Sequence, residues 1–216
     1  MTKLPPWEII DAEFVCSGTL RSHLTQPELP QVAFAGRSNV GKSSLLNALV
    51  RRHKLAHTSR APGRTRLLNY FRINKLWYYV DLPGYGFAKA PKGEREKWGE
   101  MMEGYLKGND HLRLVVVLLD SRREITDLDE QLVEFLHHNN VPFLPVLTKS
   151  DKLTKNELSA AIKRTAKHFD MDELGIRPIA TSAEKNKGRD ELLQILYEAL
   201  NPEEETPEEE TSQEQQ

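Results

Sequence analysis

A chain of 216 residues, 38% hydrophobic and 29% charged, has room for one α/β domain with a real core and is short for two. Its one cysteine, Cys16, excludes an internal disulfide framework, and its longest purely aliphatic run, Leu114 to Leu119, is too short to cross a bilayer. The net charge of −2 conceals an uneven spread: residues 201–216 hold seven glutamates and no lysine or arginine, leaving 30 basic against 25 acidic side chains, a net of +5, in the body.

Residues 1–30 contain four prolines, lack the apolar core of a secretory signal and offer a short apolar stretch around Phe14-Val15; they read as an edge strand plus a loop. Strands and helices then alternate. Strands are predicted near 32–35, 67–73, 76–81, 114–120, 143–148 and 177–181, with helices near 43–52, 93–107, 127–139, 155–168 and 189–199. Asn74-Lys75 reads as a hairpin turn, which makes the second and third strands antiparallel. Thr126-x-x-Asp129 and Thr154-x-x-Glu157 are helix-start signals, a hydroxyl cap with a carboxylate three residues on. Leu128, Leu132, Phe135 and Leu136 give the third helix one apolar face, as Leu192, Leu193, Leu196 and Leu200 do for the last. Strands 114–120 and 143–148 are apolar almost throughout, as in a parallel sheet covered on both faces. The expected architecture is α/β: a mostly parallel six-stranded sheet with one antiparallel strand, helices on both faces and the site at the strand C-terminal ends. It comprises an N-terminal extension (1–27), a main domain (28–200) and an acidic tail (201–216) too polar to fold. The tail serves solubility or mimics nucleic acid over the basic body.

The first chemical signal is Gly36-Arg37-Ser38-Asn39-Val40-Gly41-Lys42-Ser43, a match to G-x-x-x-x-G-K-[ST] between an apolar strand and a helix. Its glycines let backbone N–H groups close on phosphate oxygens, and the helix N-terminus adds positive potential. Lys42 can reach the β- and γ-phosphates, and the Ser43 hydroxyl can ligate Mg²⁺. Next comes Thr58-Ser59-Arg60-Ala61-Pro62-Gly63-Arg64-Thr65, in which Thr65 is the candidate second Mg²⁺ ligand, ordered by a γ-phosphate. Asp81-Leu82-Pro83-Gly84 ends a strand with a carboxylate for a metal-bound water and a glycine N–H for the γ-phosphate. Thr148-Lys149-Ser150-Asp151 ends another. Asp151 can accept from guanine N1–H and the 2-amino group, which adenine lacks, and Lys149 can lay its stem along the base. Thr181-Ser182-Ala183 closes the last strand, where the Ala183 N–H could meet guanine O6.

In this order, G-R-S-N-V-G-K-S, T-S-R-A-P-G-R-T, V-D-L-P-G-Y-G-F-A-K and T-K-S-D resemble the EngB (YihA/YsxC) family of bacterial GTPases, of the Era-like branch, over about residues 28–200. The resemblance implies a Ras-like fold, GTP or GDP bound with Mg²⁺, a role in assembling the large ribosomal subunit and an association with division and septation. It implies Lys42, Thr65 and Gly84 as the residues around the reacting phosphate, Ser43, Thr65 and Asp81 around the metal, and Asp151 on the base. Thr148 stands where most GTPases carry asparagine, though threonine is usual in this family. Asn39 matches the asparagine with which some Era-like relatives hold K⁺, so K⁺-stimulated hydrolysis is an expectation.

Tyr85 follows Gly84 where Ras-type enzymes put a water-orienting glutamine, and a phenol cannot present an amide to the attacking water. Slow turnover, completed by a partner or a cation, is expected, with Tyr85 and Phe87 exposed beside the loop. Arg51, Arg52, Lys54, Arg60, Arg64 and Arg66, with Lys89, Lys92, Arg95 and Lys97, form a basic cluster that is a solvated face or a contact to ribosomal RNA phosphates. The expected partner is the large ribosomal subunit or its precursor, with neither DNA nor a membrane, and the expected state is a cytoplasmic monomer. A GTP-dependent scaffold with incidental hydrolysis is the second reading. A third, an ATP-using kinase, conflicts with Thr148-Lys149-x-Asp151.

Overall fold

The computed structural model describes residues 4–19, 28–52, 55–56, 67–85, 92–171, 173 and 175–202. The elements run β1 (Ala12–Gly18), β2 (Gln31–Gly36), α1 (Lys42–Leu49), β3 (Leu68–Ile73), β4 (Trp77–Asp81), α2 (Lys92–Leu106), β5 (Leu112–Asp120), α3 (Asp127–His138), β6 (Phe143–Thr148), α4 (Lys155–His168), β7 (Ile179–Ala180) and α5 (Arg189–Leu200). A single sheet orders them β1-β3-β4-β2-β5-β6-β7, with β3 antiparallel to both of its neighbours and the other pairs parallel.

Among the described residues the sheet therefore has seven strands, not six, because the N-terminal edge strand joins it. The β3–β4 hairpin leaves the outer edge of β3 open, and β1 pairs there, with a bulge between Phe14 and Cys16. Three residues join β3 to β4; Asn74 and Lys75 both adopt positive φ (50° and 62°), and the Leu76 N–H closes the turn on Ile73 O at 2.9 Å. The Asn74 side chain also accepts from the backbone N–H groups of Ile10 and Asp11, tying the N-terminal segment to the turn. At the opposite edge β7 is only two residues long, against 177–181 predicted. Pro178 has no N–H to give a ladder, and Ser182 leaves the strand to bridge Lys187.

β2, β4 and β6 are buried along their whole lengths, which is why their sequences read as continuous apolar runs rather than as alternation. Two apolar layers sandwich the sheet. One packs α1 and α5 (Leu45, Leu49, Leu192, Leu196) on Val32, Phe34 and Val116; the other packs α2 and α3 (Tyr105, Leu132, Leu136) on Ala33, Val115 and Val117. All four leucines predicted on the inner face of α5 are buried. On α3 the inner face is Leu132, Val133 and Leu136, whereas Leu128 is 42% exposed at the rim of an apolar groove between α2 and α3. Both predicted capping boxes form. The Asp129 carboxylate accepts from the Thr126 N–H and hydroxyl (3.0 and 2.7 Å), and Glu157 accepts from those of Thr154 (2.8 and 2.7 Å). Among the described residues no helix is long and apolar enough to cross a membrane.

Candidate nucleotide-binding site

The phosphate loop emerges from the C-terminal end of β2, the central parallel strand, between β4 and β5. Gly36 is its hinge: a Cβ there would stand 2.9 Å from both the Leu118 Cβ and the Val40 Cγ1, so only glycine lets the strand pass β5 and turn. The turn continues through Asn39 and Gly41, both at positive φ (65° and 112°), and Lys42 opens α1. The first N–H groups of a helix lack intrahelical partners, so this geometry presents donors and a positive helix end together.

The Asp81-Leu82-Pro83-Gly84 segment is laid directly on this loop. The Leu82 N–H donates to Phe34 O, and Arg37 and Tyr85 form a parallel bridge in which the Ser38 N–H donates to Tyr85 O at 3.0 Å. Gly84 sits so close that a Cβ would meet Ser38 Oγ at 3.1 Å and its backbone N at 3.2 Å. The Lys42 ammonium and the Asp81 carboxylate, both buried, form an ion pair between loop and strand end. Half-buried Ser43 follows Lys42 at the start of α1. Among the described residues no group of three or more His, Cys, Asp or Glu side chains could hold a metal. One hydroxyl and one carboxylate nonetheless fit Mg²⁺, which keeps several waters and takes phosphate oxygens rather than an all-protein cage.

Tyr85 corrects an expectation. It is buried, and its hydroxyl donates to Asp129 Oδ1 at 2.8 Å, across to the first turn of α3. Burial, then the neighbouring carboxylate, push its ionisation far above the ordinary phenol range, so it is a neutral donor throughout the accessible pH range. Gly63, Arg64 and Thr65, with Phe87, lie outside the described residues.

The segments expected to meet the base are joined by side chains. Thr148 is buried and donates from Oγ1 to Val40 O at 2.6 Å, with Leu119 O at 3.1 Å; its hydroxyl fastens β6 to the phosphate loop. Lys149 adopts φ 58° and sends its ammonium to Asn39 O (2.8 Å) and Asp120 Oδ2 (2.9 Å). The Ser150 N–H donates to Thr181 O, joining the two base-side segments. Asp151 Oδ1 accepts from Ser182 Oγ at 2.5 Å, while Oδ2 lies 3.0 Å from the Lys152 ammonium without an aligned hydrogen bond. The Ser182 hydrogen bond, more than the Lys152 ammonium, holds the Asp151 carboxyl below its usual range, keeping it an anionic acceptor. Sequence gave Ser182 no partner of its own; the fold makes it the group that orients the carboxylate. Ala183 follows, half-buried.

Two members of the basic cluster are otherwise engaged. Arg51 lies 3.5 Å from Glu8, and Arg52 donates to Ala12 O at 2.5 Å and lies 3.4 Å from Asp11. Lys54, Arg60, Arg64, Arg66 and Lys89 lie outside the described residues. Sequence reasoning also missed Asp120, although a carboxylate ending an apolar strand beside Thr148 is the same signal that drew attention to Asp81.

A family model described as 50S ribosome-binding GTPase matches residues 31–149. A probable GTP-binding protein EngB of Geobacter metallireducens is 49% identical over 187 residues, 86% of this chain and 90% of that protein. The one of Oceanobacillus iheyensis is 46% identical over 86% of this chain and 94% of its own length. Among solved structures, a probable GTP-binding protein engB superposes with TM-score 0.66 at 25% identity, covering 79% of this chain and 98% of that one. An Era variant of Aquifex aeolicus bound to GDP and AlF4⁻ gives 0.64 at 27% identity, covering 82% and 58%. Identity of this order along almost the whole of both proteins agrees with a site built for a nucleotide at the central strands: the chain belongs to the EngB family of GTP-binding proteins, α/β GTPases of the P-loop type.

Proposed function

We propose that this protein is a GTP-hydrolysing switch in assembly of the large ribosomal subunit. The observation that carries the reading is the convergence of the phosphate loop, Asp81-x-x-Gly84 and the Asp151–Ser182 pair on one edge of the sheet, in a chain matched by a family of 50S ribosome-binding GTPases. Backbone N–H groups of residues 36–43 and the Lys42 ammonium bind the phosphates. Asp151 takes the two guanine N–H donors, and Lys149 lies along the base. Ser43, Asp81 and Thr65 would hold Mg²⁺, which would supply neutralisation of the phosphate charge.

Because Gly84 is packed on Ser38, a γ-phosphate that draws the Gly84 N–H toward itself moves the chain at its junction with the phosphate loop. Tyr85 faces Asp129 instead of the phosphates, so the side chain after Gly84 offers nothing to orient a water, and intrinsic hydrolysis is slow. The same observation favours the second reading, a GTP-dependent scaffold on ribosomal RNA whose hydrolysis is incidental. A hydrolysis-blocked variant separates the two: a scaffold still supports assembly, while a switch stalls on the particle.

The deciding experiment is co-sedimentation with ribosomal subunits in GDP, GTP and a non-hydrolysable analogue, across a salt series. Retention with large-subunit particles only in the triphosphate states, falling as salt rises, supports the proposal. Equal retention in GDP overturns the switch. In the same proposal the protein acts as a cytoplasmic monomer, K⁺ stimulates turnover beside Asn39, and the requirement for division and septation follows from ribosome supply. Equal rates in KCl and NaCl would remove the K⁺ element.

A further inference from the structure

Asp120 ends β5 in register with Thr148 of β6, one strand from the phosphate loop. Its side chain is 8% exposed, yet it carries a full set of donors. Oδ2 accepts from the Lys149 ammonium at 2.9 Å and from Arg122 Nη2 at 2.7 Å. Oδ1 accepts from Arg122 Nε at 2.9 Å and from the Arg122 backbone N–H at 3.2 Å. The guanidinium and the carboxylate thus meet as a two-pronged fork, the geometry that fixes a carboxylate plane most firmly.

What this carboxylate does is visible at its other partner. Lys149 donates a second hydrogen bond to Asn39 O, inside the phosphate loop, at 2.8 Å. Its stem runs beside Gly41, where an added Cβ would stand 3.7 Å from the Lys149 Cε. A lysine side chain has many rotamers and no preferred direction of its own. With the backbone at left-handed φ 58° and the ammonium held at both Asp120 and Asn39, only one path over the site remains. Burial works against ionisation of Asp120, but hydrogen bonds from Arg122 and then Lys149 overcome it and hold the carboxyl well below the usual range. The anchor therefore stays charged wherever the protein is folded at neutral pH.

We propose that Asp120 is a positioning residue of the guanine-nucleotide site: it acts through Lys149, fixing the lysine stem along the base and the phosphate loop at Asn39, with Arg122 holding the carboxylate in place. The proposal rests on the reading of Lys149 as the residue lying along the guanine. It separates two tasks within the base side. Asp151 and Ser182 choose guanine; Asp120 and Arg122 set how long it stays.

The test is release of a fluorescent GDP analogue by stopped flow from the full chain, with thermal unfolding followed in parallel. The proteins are wild type, Asp120→Asn, Lys149→Met and the double variant. Loss of a charge-assisted contact predicts release about 10- to 100-fold faster for each single variant. The double variant releases no faster than Lys149→Met, because Asp120 has then nothing left to act through. Preference for guanine over xanthine nucleotide stays as in wild type for Asp120→Asn. If the two factors multiply, or Asp120→Asn changes base preference, the positioning role is overturned while the Lys149 site stands. If Lys149→Met leaves release unchanged, the reading of Lys149 and the proposal fall together. Should Asp120→Asn not fold, Arg122→Gln, whose side chain is 41% exposed, replaces it in both backgrounds, with the same non-multiplying outcome expected and multiplying factors overturning the role.

Discussion

The two halves of the site are made by different means. On the phosphate side the backbone does the work: Gly36, Asn39, Gly41 and Gly84 are placed by close approach or positive φ, and one buried ion pair, Lys42–Asp81, joins loop to strand. On the base side one left-handed residue, Lys149, starts the turn after β6, and a lattice of side chains (Thr148, Lys149, Asp120, Arg122, Asp151, Ser182) sets the shape. A phosphate is a large charge without orientation, met by any array of N–H groups; a guanine edge must be met by acceptors of fixed direction. The halves should therefore fail differently, the first in whether nucleotide is held at all, the second in which base and for how long.

The largest effect is expected at Lys42. Lys42→Met leaves the Asp81 carboxylate buried without its counter-charge and removes the phosphate ligand. Urea unfolding should show a loss of about 3–5 kcal/mol and calorimetry no nucleotide uptake. Adding Asp81→Asn should recover much of the stability and none of the binding; recovery of both would place the phosphate elsewhere.

Asp151→Asn comes next. Stability should fall modestly, because Ser182 loses its anionic acceptor, while competition for a fluorescent GDP analogue should show guanine affinity lost by roughly 10³-fold and xanthine nucleotide favoured. An unchanged order of bases would break the comparison on its base side.

Thr148→Val removes the hydroxyl that donates to Val40 O, the side-chain donor to that carbonyl among the described residues. A cost of about 1–3 kcal/mol and faster nucleotide release follow, because this hydroxyl, like the Lys149 ammonium on Asn39 O, joins the two halves. Unchanged release would mean that this hydroxyl does not couple the halves.

The smallest mutational effect is expected from Tyr85→Phe. It removes one donor from Asp129, which keeps the Thr126 N–H and hydroxyl, and should lower stability by about 1 kcal/mol. Slow intrinsic hydrolysis should stay slow, since the phenol faces α3; a collapse of hydrolysis without loss of stability would give Tyr85 a chemical role.

Acid sharpens the same contrast. The folded carboxyls of Asp120 and Asp151 titrate below an unfolded aspartate near about pH 3.9, so the stability each contributes is present above that pH and lost as pH falls through the folded value. Denaturation curves of Asp120→Asn should therefore lose part of the wild type's dependence between about pH 4 and pH 2. An undiminished acid limb would remove Asp120 from the anchoring set.

Local chemistry carried much of this fold on its face. The turn at Asn74-Lys75, the two capping boxes and the leucines of α5 were legible because each depends on residues within a few positions of one another. Leu128 reads like its neighbours by spacing, yet it is exposed, because where the edge of a helix face lies depends on what packs against it. Tyr85 reads as a loop residue beside glycines and is buried, because its partner is Asp129, 44 positions on. Thr148 reads as a variant of a base-recognition asparagine and is a clasp on Val40, 108 positions back.

Sequence by itself determined the kind of ligand and the strand ends at which its motifs lie, since G-x-x-x-x-G-K-S, D-x-x-G and T-K-x-D are short patterns whose backbone consequences are local. Only the tertiary structure decided which side chains hold those motifs against one another: Asp120 to Lys149, Ser182 to Asp151, Thr148 to Val40. The physical reason is direction. Glycines at a turn act wherever the chain bends, but a hydrogen bond between distant segments exists only once packing of the sheet has brought donor and acceptor to within about 3 Å and aligned them.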